Sequence, residues 1–139
     1  MNPRLPRAYW ASRYEVEGVA VFIGRRSAGM DALLRRYGAC VGVLVTAWNP
    51  RSRRMPAGWN ARMQGGLRER VRRMTVLPAE GGWRRWREAH LLALADPARV
   101  RGVARLFRQR AVVVVRLGRP ARLAIVPGLA IVPGLAIVR

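Results

Sequence analysis

Few side chains in this 139-residue sequence can move a proton near neutral pH. His90 is the only histidine, and it follows Glu88 by two positions. On a strand, residues two apart share a face. Glu88 and His90, with Glu80 nearby, therefore form the one plausible general acid and base set. The plain alternative gives Glu88 an arginine partner and leaves His90 at a strand edge. No nucleophile elbow, phosphate loop or paired-carboxylate motif accompanies the set, which points away from catalysis. A second set, Trp48, Asn49, Ser52, Asn60 and Gln64, offers amides and a hydroxyl. Such groups recognise a ligand by hydrogen bonding and transfer no protons. Their plain alternative is a tight turn, with Trp48 as a packing plug and Asn49 and Ser52 bonded to local backbone. The third set is Trp83, Arg84, Arg85, Trp86 and Arg87. Arginine interleaved with tryptophan clamps nucleic acid by stacking and phosphate contacts. Otherwise the tryptophans pack down and the arginines solvate.

The charge balance keeps that third possibility open. Lysine is absent, so all 27 basic residues are arginine against 7 acidic residues, a formal charge of +20. An excess of this size makes nucleic acid or another polyanion a candidate partner. Codon drift toward arginine, alanine, glycine and proline would produce the same excess. One cysteine and one histidine exclude a disulfide framework and a Cys/His zinc site. Cys40 reads as a small buried hydrophobe. No metal or cofactor is expected, since no motif for either occurs. Arg4, Arg7 and Arg13 interrupt any apolar run of signal-peptide length, and no stretch is long enough to span a membrane, so a cytoplasmic protein is expected.

Positioning these sets falls to a central strand. Val41, Val43 and Val45 alternate with Gly42, Leu44 and Thr46, so both faces are apolar and both must be covered. The strand stops at Asn49 and Pro50, because proline has no N–H for a ladder. Polar groups gather at that end. Upstream, residues 15–23 read as one strand. Ser27 is a good N-cap for a helix with Met30, Leu33, Leu34 and Tyr37 on one stripe and Gly38 past its end. The short exit from that helix suggests a strand-helix-strand unit with a parallel pair. A second helix is expected over residues 60–74, buried through Met63, Leu67, Val71 and Met74. There Asn60 and Gln64 lie one turn apart, so they either join Asn49 and Ser52 or cap and solvate the helix start. Residues 75–79 read as a short strand, 80–87 as a loop and 88–95 as another strand. Asp96 and Pro97 open a third helix with Val100, Val103, Ala104 and Phe107 inward. A β-branched run at 111–115 and a return over 121–126 complete the expected fold. It is an α+β domain over residues 1–126, with three helices packed on a mixed sheet of five or six strands. Leu-Ala-Ile-Val then recurs at Leu123, Leu129 and Leu135 between Pro-Gly pairs, so residues 127–139 read as a duplicated tail without function.

Several stretches together resemble a bacterial family known as domain of unknown function 3293. They are residues 9–14, 46–52, Asn60 with Gln64, 77–81 and 107–111, and Thr46-Ala47-Trp48-Asn49-Pro50 is the most specific. The resemblance implies a fold and a site location more than an activity. Relatives carry a longer acidic, proline-rich loop and Glu-Pro-Ser where this chain has residues 82–87 and Glu88-Ala89-His90. They also carry Gly-Gln-Asn in place of Arg108-Gln109-Arg110, so this version is shorter and more basic. The expected function is a non-catalytic binding module at the Trp48-Asn49-Pro50 strand end. The alternatives are arginine-mediated binding of RNA or single strands, and an enzyme using Glu88 and His90.

Overall fold

The computed structural model describes residues 7–49 and 53–126. Pro50, Ser52 and the repeat tail lie outside the described residues. Among the described residues there are four helices, α1 (Arg7–Ala11), α2 (Ala28–Arg36), α3 (Ala57–Arg70) and α4 (Pro97–Leu106). Seven strands accompany them: β1 (Arg13–Val16), β2 (Val19–Phe22), β3 (Val41–Val45), β4 (Thr75–Trp83), β5 (Trp86–Leu94), β6 (Ala111–Arg116) and β7 (Arg122–Ile125). They form one sheet in the order β2-β1-β4-β5-β3-β6-β7. The expectation of three helices on a mixed sheet of five or six strands is thus corrected, although the fold is still α+β.

The corrections have local causes. The expected strand over 15–23 is a hairpin, because Glu17 and Gly18 both take positive φ (49° and 79°) and turn the chain in two residues. The expected loop at 80–87 is also a hairpin. β4 runs through Gly81 and Gly82 to Trp83, and Trp83 pairs with Trp86 across Arg84 and Arg85. Arg84 makes that turn at φ 57° with no glycine to announce it. The parallel pair does not form. β3 pairs antiparallel with both β5 and β6, and α2 carries the chain past three strands to reach it. α3 begins at Ala57 behind Pro56, three residues before the expected start. Cys40 is exposed and not buried.

Elsewhere the local signals agree with the result. The Ser27 hydroxyl accepts from Met30 N at 3.0 Å, capping α2. Asp96 precedes α4 with Pro97 at its first position, although its side chain makes no capping bond. Inside α3, a Cβ on Gly66 would meet Phe107 Cε1 at 3.4 Å, an ordinary contact that alanine would also make.

The sheet curls until its edges touch. Ile23, after β2, bridges Ala121, before β7, in the one parallel contact among the described residues. Gly24 N–H donates to Ala121 O at 2.8 Å and Ala121 N–H to Arg25 O at 3.1 Å. Two cores result. On the convex face, Leu67 and Val71 after α3 and Val100 and Ala104 of α4 pack on Val43, Val45, Leu91, Ala93, Val112 and Val114. On the concave face, Met30, Leu33 and Leu34 of α2 pack on Val21, Leu44, Leu77, Leu92, Val113 and Val115. The alternation of valines along β3 and β6 therefore feeds both cores, which is why neither face shows polar residues. Asp31 secures α2 from its buried position by accepting from Gly118 N at 2.9 Å. That bond, with Arg26 beside it, holds its carboxyl below the usual range.

Candidate functional site

α2 fills only part of the concave face, and the remainder is a cavity of about 300 Å³. Its origin lies in the register. Tyr14 of β1, Gly81 of β4 and Glu88 of β5 are aligned partners, as are Val16, Ala79 and His90. Aligned residues point to the same side. β4 thus contributes a lane with almost no side chain between two strands that carry large ones. Tyr14 and His90 lean across it, their rings edge to face with centroids 5.4 Å apart. A Cβ on Gly81 would stand 2.7 Å from His90 Cε1 and 2.9 Å from Tyr14 Cε1, so any side chain there must displace these rings. Tyr9 and Ser12 border the cavity on one side, Leu44, Val113 and Leu123 on the other, and Trp83 and Trp86 stand at the hairpin end.

The polar groups are held from behind. Asn49 takes φ 47°, a left-handed conformation that asparagine tolerates. Its Oδ1 accepts from Met55 N (2.8 Å) and Asn60 Nδ2 (2.9 Å), while its own N–H donates to Asn60 Oδ1 (3.0 Å). Because the Met55 N–H can only donate, Asn49 Oδ1 must face it. That turns Nδ2 toward the cavity, where it donates to Glu88 Oε2 at 2.6 Å. Trp86 Nε1 donates to the same oxygen at 2.9 Å. Thr46 accepts from Trp48 N and donates to Ala89 O, joining the end of β3 to β5. Gln109 donates to Trp48 O and Phe107 O, closing the floor.

His90 is buried on a central strand between β4 and β3, not at a sheet edge. Its Nδ1 lies 3.1 Å from Glu88 O. A carbonyl only accepts, so in the neutral ring Nδ1 carries the proton and Nε2 keeps its lone pair. Burial pushes the imidazole below its ordinary pKa, against the opposing pull of the Glu88 and Glu80 charges. Burial likewise pushes the Tyr14 phenol far above its usual range, partly countered by its hydrogen bond with Ser12. A histidine kept neutral when folded costs stability once the unfolded chain can take up the proton. Urea midpoints should therefore fall as pH is lowered below the ordinary histidine value of 6.5, and stay level above it. His90→Gln should flatten that segment of the profile, and an unchanged profile would show that His90 is not the group responsible.

The sequence candidates divide sharply. Asn49, Glu88, His90, Trp83 and Trp86 meet at the cavity. Asn60 and Gln64 are buried behind it and serve the backbone of the β3 end, Gln64 by accepting from Ala47 N at 2.9 Å. Trp48 does not line the cavity, and Ser52 is outside the described residues. Glu80 points to the opposite face of β4 and pairs with Arg87 at 3.4 Å. Glu88 has no arginine partner among the described residues; the two amide and indole donors take that place. Of the tryptophan-arginine stretch, Arg84 stacks over Trp83 at 4.7 Å, Arg54 over Trp86 at 5.2 Å, and Arg85 is exposed. Sequence reasoning met Tyr9, Ser12, Tyr14, Thr46 and Gln109 only within the stretches that carry the family resemblance and named none of them as a site residue. The signal for Tyr14 was its pairing with Gly81, which is a long-range fact. Among the described residues no three of His, Cys, Asp and Glu gather as a metal site would require. Nor is any described helix long and apolar enough to cross a membrane.

A curled antiparallel sheet with helices on both faces and a polar-floored cavity defines an α+β protein built around an internal pocket. Residues 45–112 match the family model described as a protein of unknown function (DUF3293). The segment runs from the end of β3 into β6 and contains Asn49, Glu88, His90 and Gln109, while Tyr9 and Tyr14 lie outside it. Comparison with curated proteins and with solved structures found no match.

Proposed function

We propose that the protein is a non-catalytic binding module for a small molecule, and that the concave-face cavity beside the β3 end is its site. The observation that carries this reading is convergence: the lane at Ala79 and Gly81 leaves space just where Glu88, His90, Asn49 and Gln109 bring polar atoms together between aromatic walls. Pockets of roughly 300 Å³ and above, mostly apolar with a few placed polar groups, are the usual form of a small-ligand site. The polar groups are also braced by Asn60 and the backbone, which limits the ordering cost on binding.

Nucleic-acid binding has less support. Exposed arginines occur on α2 (Arg35, Arg36), on α3 (Arg62, Arg68, Arg70), at the β4–β5 turn (Arg84, Arg85) and beside β7 (Arg119, Arg122), so they favour no single face. Trp83 and Trp86 line the cavity and already carry arginines on their rings.

A fragment screen read by amide ¹⁵N–¹H shifts tests the proposal. Binding fragments should move the resonances of Tyr14, Gly81, Glu88, His90 and Gln109 together and saturably. A screen in which every hit maps to the arginine-bearing helices instead would remove the cavity from consideration.

A further inference from the structure

The hydrogen-bonding capacity left over in the cavity identifies the class of ligand, given that the cavity is the site proposed above. The donors on its wall are largely consumed. Asn49 Nδ2 and Trp86 Nε1 are both directed at Glu88 Oε2, Gln109 Nε2 at two carbonyls and the Thr46 hydroxyl at Ala89 O. Ser12 and Tyr14 are bonded to each other. At the hairpin end the Trp83 indole N–H is a donor outside these bonds, and beside Glu88 three further atoms are outside them: Glu88 Oε1, His90 Nε2 and Gln109 Oε1. All three are acceptors. One of them belongs to a carboxylate that no arginine neutralises among the described residues. Its setting is otherwise apolar and aromatic, where a charge-assisted hydrogen bond is strong.

We infer that the cavity selects a cationic N–H donor, a protonated amine or amidine carried on a compact apolar body. Tyr9, Tyr14, Trp83 and Trp86 add to the preference, because aromatic faces attract cations. Two of these rings already do so with the protein's own guanidinium groups, Arg84 on Trp83 and Arg54 on Trp86. The formal charge of +20 does not oppose this strongly, since charges exposed at the surface are screened over about 8 Å at physiological ionic strength. Glu88 acts at contact. An anionic ligand would meet a carboxylate and two further acceptors, and would leave all of them without partners.

Three probes of one shape test the inference: benzamidine, benzamide and benzoate, titrated against the intact chain by amide shifts. Benzamidine should bind about tenfold or more tighter than benzamide, the discrimination expected of one charge-assisted bond, and benzoate should be weakest. In Glu88→Gln, which keeps the shape and an acceptor for Asn49, the benzamidine advantage should disappear. The wild-type ranking stands alone if that variant folds poorly. Benzoate binding as well as benzamidine, or an advantage that survives Glu88→Gln, would overturn the inference. If benzamide enters the cavity and benzamidine gains nothing over it, the charge preference fails while the pocket reading stands. If none of the three perturbs Tyr14, Gly81 or His90, both fall.

Discussion

Replacing Asn49 with alanine should cost about 2–5 kcal/mol of folding stability, a large share of the roughly 5–15 kcal/mol that holds a domain of this size together. Two effects add. Removing Oδ1 leaves the half-buried Met55 N–H without its acceptor and Asn60 Nδ2 with only Met55 O at 3.3 Å, and an unsatisfied buried group costs about 1–3 kcal/mol. Removing the side chain also leaves alanine at φ 47°, where a Cβ costs about 1–2 kcal/mol and asparagine is better tolerated. Asn49→Gly separates the two effects, because glycine adopts that φ freely. It should lose the hydrogen bonds but recover about 1 kcal/mol relative to alanine. Chemical denaturation of the three proteins measures both differences. Equal stabilities for the alanine and glycine variants would mean that backbone conformation contributes nothing at this position, and a loss under 1 kcal/mol for either would mean that the network behind the cavity is unimportant.

The second large effect is on binding, and it comes from filling the lane. Gly81→Val adds a branched side chain where even a Cβ stands 2.7 Å from His90 and 2.9 Å from Tyr14. Overpacking costs about 1–3 kcal/mol, and the better strand propensity of valine offsets up to about 1 kcal/mol of it. The rings can also relieve the clash by swinging into the cavity, the one empty direction open to them. Folding should therefore survive with a modest loss while the cavity closes, so that fragments binding at Tyr14 and His90 in the wild type no longer perturb any resonance. A folded variant with undiminished affinity would place the ligand elsewhere.

Both predictions turn on features of unequal legibility. The two-faced β3 was readable because valine and leucine at every position leave no polar face. α2 and α4 were readable from Ser27 and from Asp96-Pro97, signals that act within one helical turn. The Glu88 and His90 pair was readable because two residues on one strand need no partner strand to share a face. What escaped depended on a second segment. The turn at Glu17 is marked only by Gly18, with glutamate in a conformation it rarely takes, and the turn at Arg84 carries no glycine at all. Gly81-Gly82 looked like loop composition because glycine is poor in strands, yet it lies in β4 to make room for Tyr14, 67 residues earlier in the chain, and His90. Asn60 and Gln64 were recognised as a polar pair, but only the packing of α3 against the β3 end decides that they serve backbone and not ligand.

The contact between Ile23 and Ala121 also divides the sheet into strong and weak directions. Neighbouring strands are joined by continuous ladders of three to nine aligned pairs, whereas β2 and β7 meet through a single bridge with two backbone hydrogen bonds beside it. The sheet is therefore a half-barrel whose open side is fastened at one point. Leu123 of β7 borders the cavity, but Ile23, Ala121 and the whole of β2 do not, so the bridge closes the curl away from it. Parting the bridge would break two backbone hydrogen bonds and uncover Val21 and Ala121 of the concave core, but it would break no ladder.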